Sequence, residues 1–150
     1  MAIRNIRKNE DPALRKKCRE VAKIDDHLLE ILNDMAETMY ASEGLGLAAN
    51  QVGILRRLVV VDTGESLYKL INPRIVSSEG STEVVEGCLS FPDVWGKVPR
   101  PEKVTVCALN EEGEKITLAG EGRTASCLCH EIDHLDGVVF TDKVTEFIDE

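Results

Sequence analysis

The sequence has no excess of positive charge and no long apolar segment. Its 150 residues carry a formal net charge of -9, with both signs spread along the chain, which argues against a nucleic-acid-binding protein and a basic membrane-surface helix. No segment approaches the roughly 18 apolar residues of a membrane span, and charges interrupt the N-terminus before an apolar run can build. We expect a cytoplasmic protein without membrane contact or nucleic-acid readout.

The cysteine count argues against a disulfide framework. Five cysteines, an odd number in an acidic chain without an export signal, predict reduced thiols or metal ligands. The length suits one domain over residues 1–150, which can bury about two-thirds of its unfolded surface and needs no disulfide to fold. Cys18 and Cys107 are predicted to be ordinary core residues. Cys88, Cys127 and Cys129 are the candidates for a chemical role.

Three segments have the pattern of helices. An N-cap followed by proline predicts a short helix from residue 12 to about residue 19. A longer segment with one apolar stripe, capped by Asp25 or Asp26, is predicted to end before Gly44. A third pattern spans roughly residues 122–135 and stops where a glycine can adopt a left-handed conformation.

Between these helical patterns the apolar residues form short β-rich runs. Asp-Thr-Gly, Asn-Pro and Glu-Glu-Gly turns separate the runs, which suggests antiparallel pairing. The predicted fold class is therefore α+β, with mainly antiparallel sheets around a C-terminal helix and with helices at the N-terminus. The runs cover residues 58–61, 70–71, 84–85, 104–106 and 116–118.

The C-terminal helix carries a pair of histidines. His130 and His134 are four residues apart, so their Cβ atoms lie about 5 to 6 Å apart on one face, close enough to share a metal ion. Glu131 points about 80° from the midline of the pair, where it can reach a metal-bound water without being an obvious ligand. A chance pair on a solvated helix face is the alternative. The pattern favours a metal-dependent hydrolase.

A catalytic metal site needs three protein ligands and one open position, so a third ligand must come from elsewhere. His27 is the only other histidine, and its place in the first turn of an amphipathic helix favours a structural role. Cys127 lies one helical turn early and Cys129 points about 120° away from the pair, so neither suits coordination. Cys88 follows a glycine that permits a turn toward the helix, although a buried apolar cysteine fits the same spacing.

A glycine-rich segment at residues 44–49 matches the glycine pattern of a dinucleotide-binding fingerprint. Asp62 follows at about the sequence separation expected of the acidic residue that binds a ribose. That motif needs a strand before it and a helix after it, whereas here a helix precedes and a strand follows. We interpret the glycines as a close backbone approach that lets a substrate or the metal loop lie against the chain. Gln51 can donate to an oxygen that gains charge in hydrolysis, with an exposed loop glutamine as the alternative.

Three segments together resemble the motifs of peptide deformylases in order and spacing. They are Gly-Leu-Gly-Leu-Ala-Ala-Asn-Gln at 44–51, Glu-Gly-Cys-Leu-Ser at 86–90 and His-Glu-Ile-Asp-His-Leu at 130–135, and the likeness covers nearly the whole chain. The resemblance implies metal-dependent removal of the formyl group from N-formylmethionyl nascent chains. We also expect a transient ribosome contact and a monomer. The sequence departs from the family pattern at Asn50, at Cys129 and over residues 123–126.

The resemblance also implies roles for individual residues. Glu131 would be the general acid and base, and Gly46 would hydrogen-bond the substrate backbone. The metal would be Fe(II) by family precedent, with Zn(II), Ni(II) or Co(II) as alternatives that a Cys-His-His set accepts. The metal ligands would be Cys88, His130 and His134, the oxyanion donors Gln51 and the backbone N–H of Leu89, and the residues of the methionine pocket Leu45, Val84 and Cys127.

Two other classes of site compete with this interpretation. A zincin-type endopeptidase needs a third ligand downstream of the helix, but only 16 residues follow His134 and none is a histidine. A structural zinc module needs a fourth protein ligand, for which Cys127 and Cys129 are poorly placed. Such a module would also leave Glu131 and Gln51 without a purpose.

Overall fold

The computed structural model describes residues 2–148 and contains two α-helices. Helix α1 (Asp26–Ala41) begins where the Asp25 side chain accepts a hydrogen bond from the Leu28 amide at 2.9 Å. Helix α2 (Gly122–Leu135) ends before Gly137, which has a φ of +76°. Both helices were predicted, α2 with the bounds that the structure has. No helix among the described residues is long and apolar enough to cross a membrane.

The first predicted helix is shorter than expected. Residues Pro12–Arg15 form a single 3₁₀ turn, capped by Asp11 as predicted, and the chain then becomes extended. The Cys18 amide donates to the carbonyl of Leu135 at 2.7 Å. That contact with the end of α2 holds residues 16–19 away from a helical path, so the prediction of a helix to residue 19 was wrong.

Eight strands form two antiparallel sheets, as the α+β prediction requires. The larger sheet has the order β1-β2-β3-β6-β7 and the smaller one the order β4-β5-β8. All five predicted β-rich runs lie within strands. The strands are β1 (Gly46–Ala48), β2 (Leu58–Val61), β3 (Tyr68–Glu79), β4 (Thr82–Cys88), β5 (Phe91–Arg100), β6 (Lys103–Leu109), β7 (Lys115–Glu121) and β8 (Glu146–Ile148).

The predicted Asn-Pro turn does not interrupt β3. Asn72 adopts a φ of +53°, and the pairing of β3 with β6 shifts register between Ile71 and Arg74. A β-bulge therefore absorbs Pro73, whose ring nitrogen has no hydrogen to donate. The Asn72 side chain bonds to both backbone groups of Val21, which stabilises the bulge.

The core lies on both faces of the larger sheet. One cluster joins α1 to that sheet through the predicted apolar stripe, which includes Leu28, Leu32 and Met35. The other cluster joins α2 to the sheet and contains Leu128 and Cys129. Helix α2 is thereby fixed with its histidine-bearing face near β1 and β4.

Candidate active site

Cys88, His130 and His134 form a group that is suited to holding a metal ion. We call these three residues the donor group. One ligand atom from each residue lies within 4.8 Å of the other two. The Cys88 Sγ is 3.4 Å from His134 Nε2, and the two imidazole centroids are 5.0 Å apart. Burial lowers the pKa of His134 well below its usual value, which favours the neutral ring that coordinates a metal. Within residues 2–148, no other histidine, cysteine or carboxylate joins this group.

The loop that carries Cys88 is shaped by a register shift and a close contact. The pairing of β4 with β5 shifts between Glu86 and Cys88, at the end of the hairpin. Gly87 does not have a positive φ, so its role differs from the predicted one. A Cβ on Gly87 would lie 2.6 Å from the ring of Trp95, and the glycine is needed because the indole packs against it.

A buried ionic network orients His130, and the sequence interpretation missed it. His130 Nδ1 donates to Glu86 Oε1 at 2.8 Å, which leaves Nε2 for coordination. Arg100 donates two hydrogen bonds to Glu86, at 2.6 and 2.8 Å, and a third to Asp133 at 2.9 Å. Burial alone would raise the pKa of Glu86, but the bonds from Arg100 and His130 lower it to about 2. Glu86 and Asp133 lie inside the motifs at 86–90 and 130–135, and this position was the sequence feature that could have indicated their role.

Glu131 is buried beside the donor group with an unsatisfied oxygen. Its Oε1 has no hydrogen-bond partner among the described residues. Burial raises the pKa of Glu131 to about 7, although the neighbouring His130 opposes the shift. A carboxyl group with a pKa near neutrality can both accept and donate a proton. The carboxyl group therefore has an oxygen whose hydrogen-bonding capacity the described residues do not use.

Gln51 belongs to the site and is not the exposed loop glutamine of the alternative interpretation. It is 1% exposed within a 3₁₀ turn, Ala49–Val52, and its Oε1 accepts from the Ala48 amide at 2.9 Å. That bond fixes the amide so that Nε2 lies 3.6 Å from Cys88 Sγ and 3.1 Å from Ser90 Oγ. The side-chain amide of Gln51 is thus a hydrogen-bond donor that is held in a fixed orientation beside Cys88.

The glycine-rich segment makes the close approach that its composition predicts. A Cβ on Gly46 would lie 2.7 Å from Glu131 Oε2 and 2.9 Å from Cys127 Sγ. A Cβ on Gly44 would lie 2.7 Å from the side chain of Leu89, in the loop after Cys88. Strand β1 begins at Gly46 and pairs antiparallel with β2, so the segment lacks the strand and helix that a dinucleotide-binding fingerprint requires.

A cavity of about 660 Å³ brings most of the predicted site residues together. Val84 does not line it, whereas its neighbour Val85 does. Arg123 is exposed and lies at this cavity, where its guanidinium group is in contact with solvent. The predicted residues in the lining are Leu45, Gly46, Gln51, Cys88, Leu89, Cys127, His130 and Glu131. His134 completes the donor group although it does not line the cavity.

The other cysteine and histidine candidates lie outside the donor group. The Cys127 thiol donates to the carbonyl of Leu45 at 3.6 Å, and burial raises its pKa, so it remains a protonated thiol. Cys129 is buried in the core, where burial raises its pKa to about 11. His27 is exposed on α1. None of these three belongs to the metal-binding group among the described residues.

Comparisons with known proteins agree on one family. A model of the polypeptide deformylase family matches residues 3–148. The chain is 62% identical over 149 residues to peptide deformylase 2 of Clostridium acetobutylicum, with 99% of each chain covered. It is 60% identical to a peptide deformylase of Caldanaerobacter subterraneus, covering 99% of this chain and 94% of that relative. The crystal structure of a Thermotoga maritima peptide deformylase superposes with a TM-score of 0.93 at 39% identity, over 95% of this chain and 98% of that one.

Proposed function

The chain belongs to the polypeptide deformylase family, and we propose how its own residues carry out that family's reaction. The protein is a metal-dependent hydrolase that removes the formyl group from N-formylmethionyl nascent peptides and releases formate. One observation carries the assignment of roles: a Cys-His-His donor group, a buried carboxyl group and a fixed amide meet at one cavity. We assign these roles to a single catalytic domain.

Cys88, His130 and His134 are the proposed ligands of one divalent metal ion. The donor group fits such an ion because it supplies one sulfur and two nitrogens and leaves a coordination position open. When bound, the metal acts as a Lewis acid and lowers the pKa of water from 15.7 toward about 7. We propose Fe(II) as the metal in the cell, with Zn(II), Ni(II) or Co(II) as alternatives for the same donors.

Glu131 is the proposed general base and general acid. Its carboxylate takes a proton from the attacking water and passes it to the amine that leaves as the amide bond breaks. The unpartnered Oε1 and the pKa near 7 support both steps. Gly46 keeps this carboxyl group close to the site because no side chain separates the two residues.

Gln51 and the backbone N–H of Leu89 are the proposed donors to the oxyanion. Each donor is worth about 3 kcal/mol in the rate when it is aimed at the oxygen that gains charge. The bond from the Ala48 amide to Gln51 Oε1 supports this role, because it fixes the orientation of the donor before substrate arrives.

Leu45 and Cys127 are the proposed wall of the pocket for the methionine side chain. Both line the cavity beside Glu131, and the protonated thiol of Cys127 is compatible with an apolar substrate. The backbone of Gly46 is proposed to hydrogen-bond the substrate chain. Val84 is not retained in this pocket, since Val85 occupies the wall of the cavity instead.

The substrate suggests where the protein works. Because it acts on nascent peptides, we propose a cytoplasmic monomer that contacts the ribosome transiently. The contact requires no readout of nucleic-acid sequence.

Formate release from formyl-Met-Ala-Ser tests the function. Protein purified without oxygen and with its metal quantified should release one formate per peptide, whereas acetyl-Met-Ala-Ser should remain intact. Cleavage of an internal peptide bond would favour an endopeptidase. Full metal content without any hydrolysis would favour a structural site.

A further inference from the structure

Basic residues are concentrated near the N-terminus, although the protein as a whole is acidic. The first 24 residues carry eight of the 18 basic residues and only three of the 27 acidic ones. Arg4, Arg7 and Arg15 form ion pairs with Asp34, Asp11 and Asp142. Lys17 and Arg19 form no ion pair within the described part of the chain, and both are exposed. Within this region, Lys17 and Arg19 are thus basic residues without an ion pair on the extended segment before α1.

This segment packs beside two other basic positions. Arg19 pairs with Arg56 in an isolated parallel bridge, in which the Arg19 amide donates to Leu55 and the Arg57 amide donates to Arg19. Asn72 holds the other end of the segment through its bonds to Val21, which brings Arg74 near. Cys18 is buried, so Lys17 and Arg19 on either side of it both point outward. We call Lys17, Arg19, Arg56 and Arg74 the basic face.

A cavity of about 420 Å³ borders the basic face, which contributes Lys17 and Arg74 to its lining. Lys17, Arg57 and Arg74 contribute its positive charges, and Glu20 and Asp136 its negative ones. Arg57 is largely buried, and its bonds to the carbonyls of Cys18 and Leu135 and to Asp136 all use Nη1. Its other two nitrogens have no hydrogen-bond acceptor among the described residues. The cavity shares no lining residue with the active-site cavity.

The Arg19–Arg56 bridge places two exposed guanidinium groups on directly opposed residues. Two like charges on directly opposed residues destabilise a pairing, and neither side chain has an acidic partner in residues 2–148. A phosphate group next to both guanidinium groups would remove the repulsion, and arginine forks match phosphate geometry. The arrangement thus favours an anionic partner that presents several phosphates.

We propose that the basic face docks the enzyme on the phosphate backbone of ribosomal RNA. The proposal rests on the function above, because nascent peptides are presented at a particle whose surface is rich in RNA. Charge complementarity selects this face, since the rest of a protein with a net charge of -9 is repelled by RNA. Contacts with backbone phosphates position a protein without reading the nucleotide sequence. A small basic face is sufficient for such contacts, so the chain needs no overall excess of basic residues. None of the four residues of the basic face lines the active-site cavity.

The test is salt-dependent binding of fluorescently labelled, metal-loaded enzyme to purified ribosomes. The variant R19E/R56E should bind about tenfold more weakly than wild type at low salt, and its slope of log affinity against log salt should be smaller by about 1.5. R19Q/R56Q should bind with intermediate affinity and unfold at the same or a higher temperature. The matched control K103E/K115E makes the same change in net charge at exposed positions on β6 and β7 and should bind like wild type.

Formate release separates this proposal from the function. R19E/R56E should hydrolyse formyl-Met-Ala-Ser within about twofold of wild type, because the basic face does not line the active-site cavity. Undetectable binding of wild type at low salt, equal binding of R19E/R56E, or an equal loss in the control would overturn the proposal. Tighter binding to phosphatidylglycerol vesicles than to ribosomes would assign the face to a membrane and overturn it as well. Wild-type enzyme that releases no formate would contradict the proposed function. The ribosome affinities of wild type and R19E/R56E could still be compared in that case.

Discussion

Gly46 and Glu131 lie so close that no side chain fits between them: a Cβ on Gly46 would lie 2.7 Å from Glu131 Oε2. The glycine on β1 thus keeps space for a carboxyl group on α2 that has no hydrogen-bond partner on its other oxygen. The glycine-rich segment and the histidine helix act as one unit, although more than 80 residues separate them.

Gly46→Ala should displace the Glu131 carboxyl group while the metal stays bound. Misplacing a catalytic group by about 1 Å can cost about 10²-fold in rate, so kcat/KM should fall by about that factor. Metal content and the unfolding temperature provide the controls. Wild-type activity in the fully loaded variant would mean that the position of Glu131 does not matter for the reaction.

Cys88→Ala should abolish stoichiometric metal binding, and Cys129→Ala should leave it nearly unchanged. The Cys88 sulfur is 3.4 Å from His134 Nε2, whereas Cys129 is buried in the core beside α2. Elemental analysis of the two purified variants decides the matter. Equal metal content in both would refute the ligand assignment.

Arg100→Met should lower the free energy of unfolding by about 3 to 5 kcal/mol, because it leaves the Glu86 charge buried without its partner. Arg100 is 2% exposed and supplies two of the three side-chain hydrogen bonds to Glu86. Denaturant titration provides the value, and E86Q in the same background should recover part of the loss.

Arg123→Ala is the matched control for Arg100→Met. Arg123 is exposed at the rim of the active-site cavity, so its removal should cost less than about 1 kcal/mol. Two results would contradict the account of the buried network. One is a loss above about 3 kcal/mol in Arg123→Ala, and the other is a loss below about 1 kcal/mol in Arg100→Met.

Asp34→Asn should destabilise the protein at neutral pH and less so in acid. Burial alone would raise the pKa of Asp34, but hydrogen bonds from the Ala2 amide and from Arg4 lower it overall. A carboxyl group whose pKa is lower in the folded state stabilises that state above its unfolded pKa of about 3.9, and the contribution is lost as the pH falls through the folded pKa.

Unfolding of wild type and Asp34→Asn by urea at pH 7, 5 and 3 measures this effect. The difference in stability should be full at pH 7 and smaller at pH 3. The exposed Glu65→Gln variant should match wild type at every pH. A difference for Asp34→Asn that grows toward pH 3 would show that the sign of the linkage is wrong.

Local signals in the sequence identify the elements that carry the donors. The spacing of His130 and His134 and the glycine at position 137 define α2, and the motif around Cys88 supplies the third member of the group. These features depend on a few neighbouring residues, which is why sequence alone predicts them.

Long-range contacts explain what the sequence did not predict. Strand β5 contains Pro92, Gly96 and Pro99, which disfavour a strand, and its pairing with β4 and β8 overrides those preferences. The bond between Arg100 and Glu86 depends on that pairing, so the ionic network could not be inferred from spacing along the chain. The early end of the first helix has the same kind of cause, since the Cys18 amide bonds to Leu135.

The activity of Glu131→Gln at matched metal content tests the central assignment most directly. Glutamine is nearly isosteric, so the fold and the metal should be retained. The value of kcat should fall about 10²- to 10⁴-fold, because the proposed mechanism uses Glu131 as both base and acid. KM should change little, since the proposed contacts of formyl-methionine are with the pocket and the backbone of Gly46. Inhibitor binding, measured separately, checks that the site is intact. Activity within a few-fold of wild type at equal metal loading would remove Glu131 from the mechanism and favour a structural metal site.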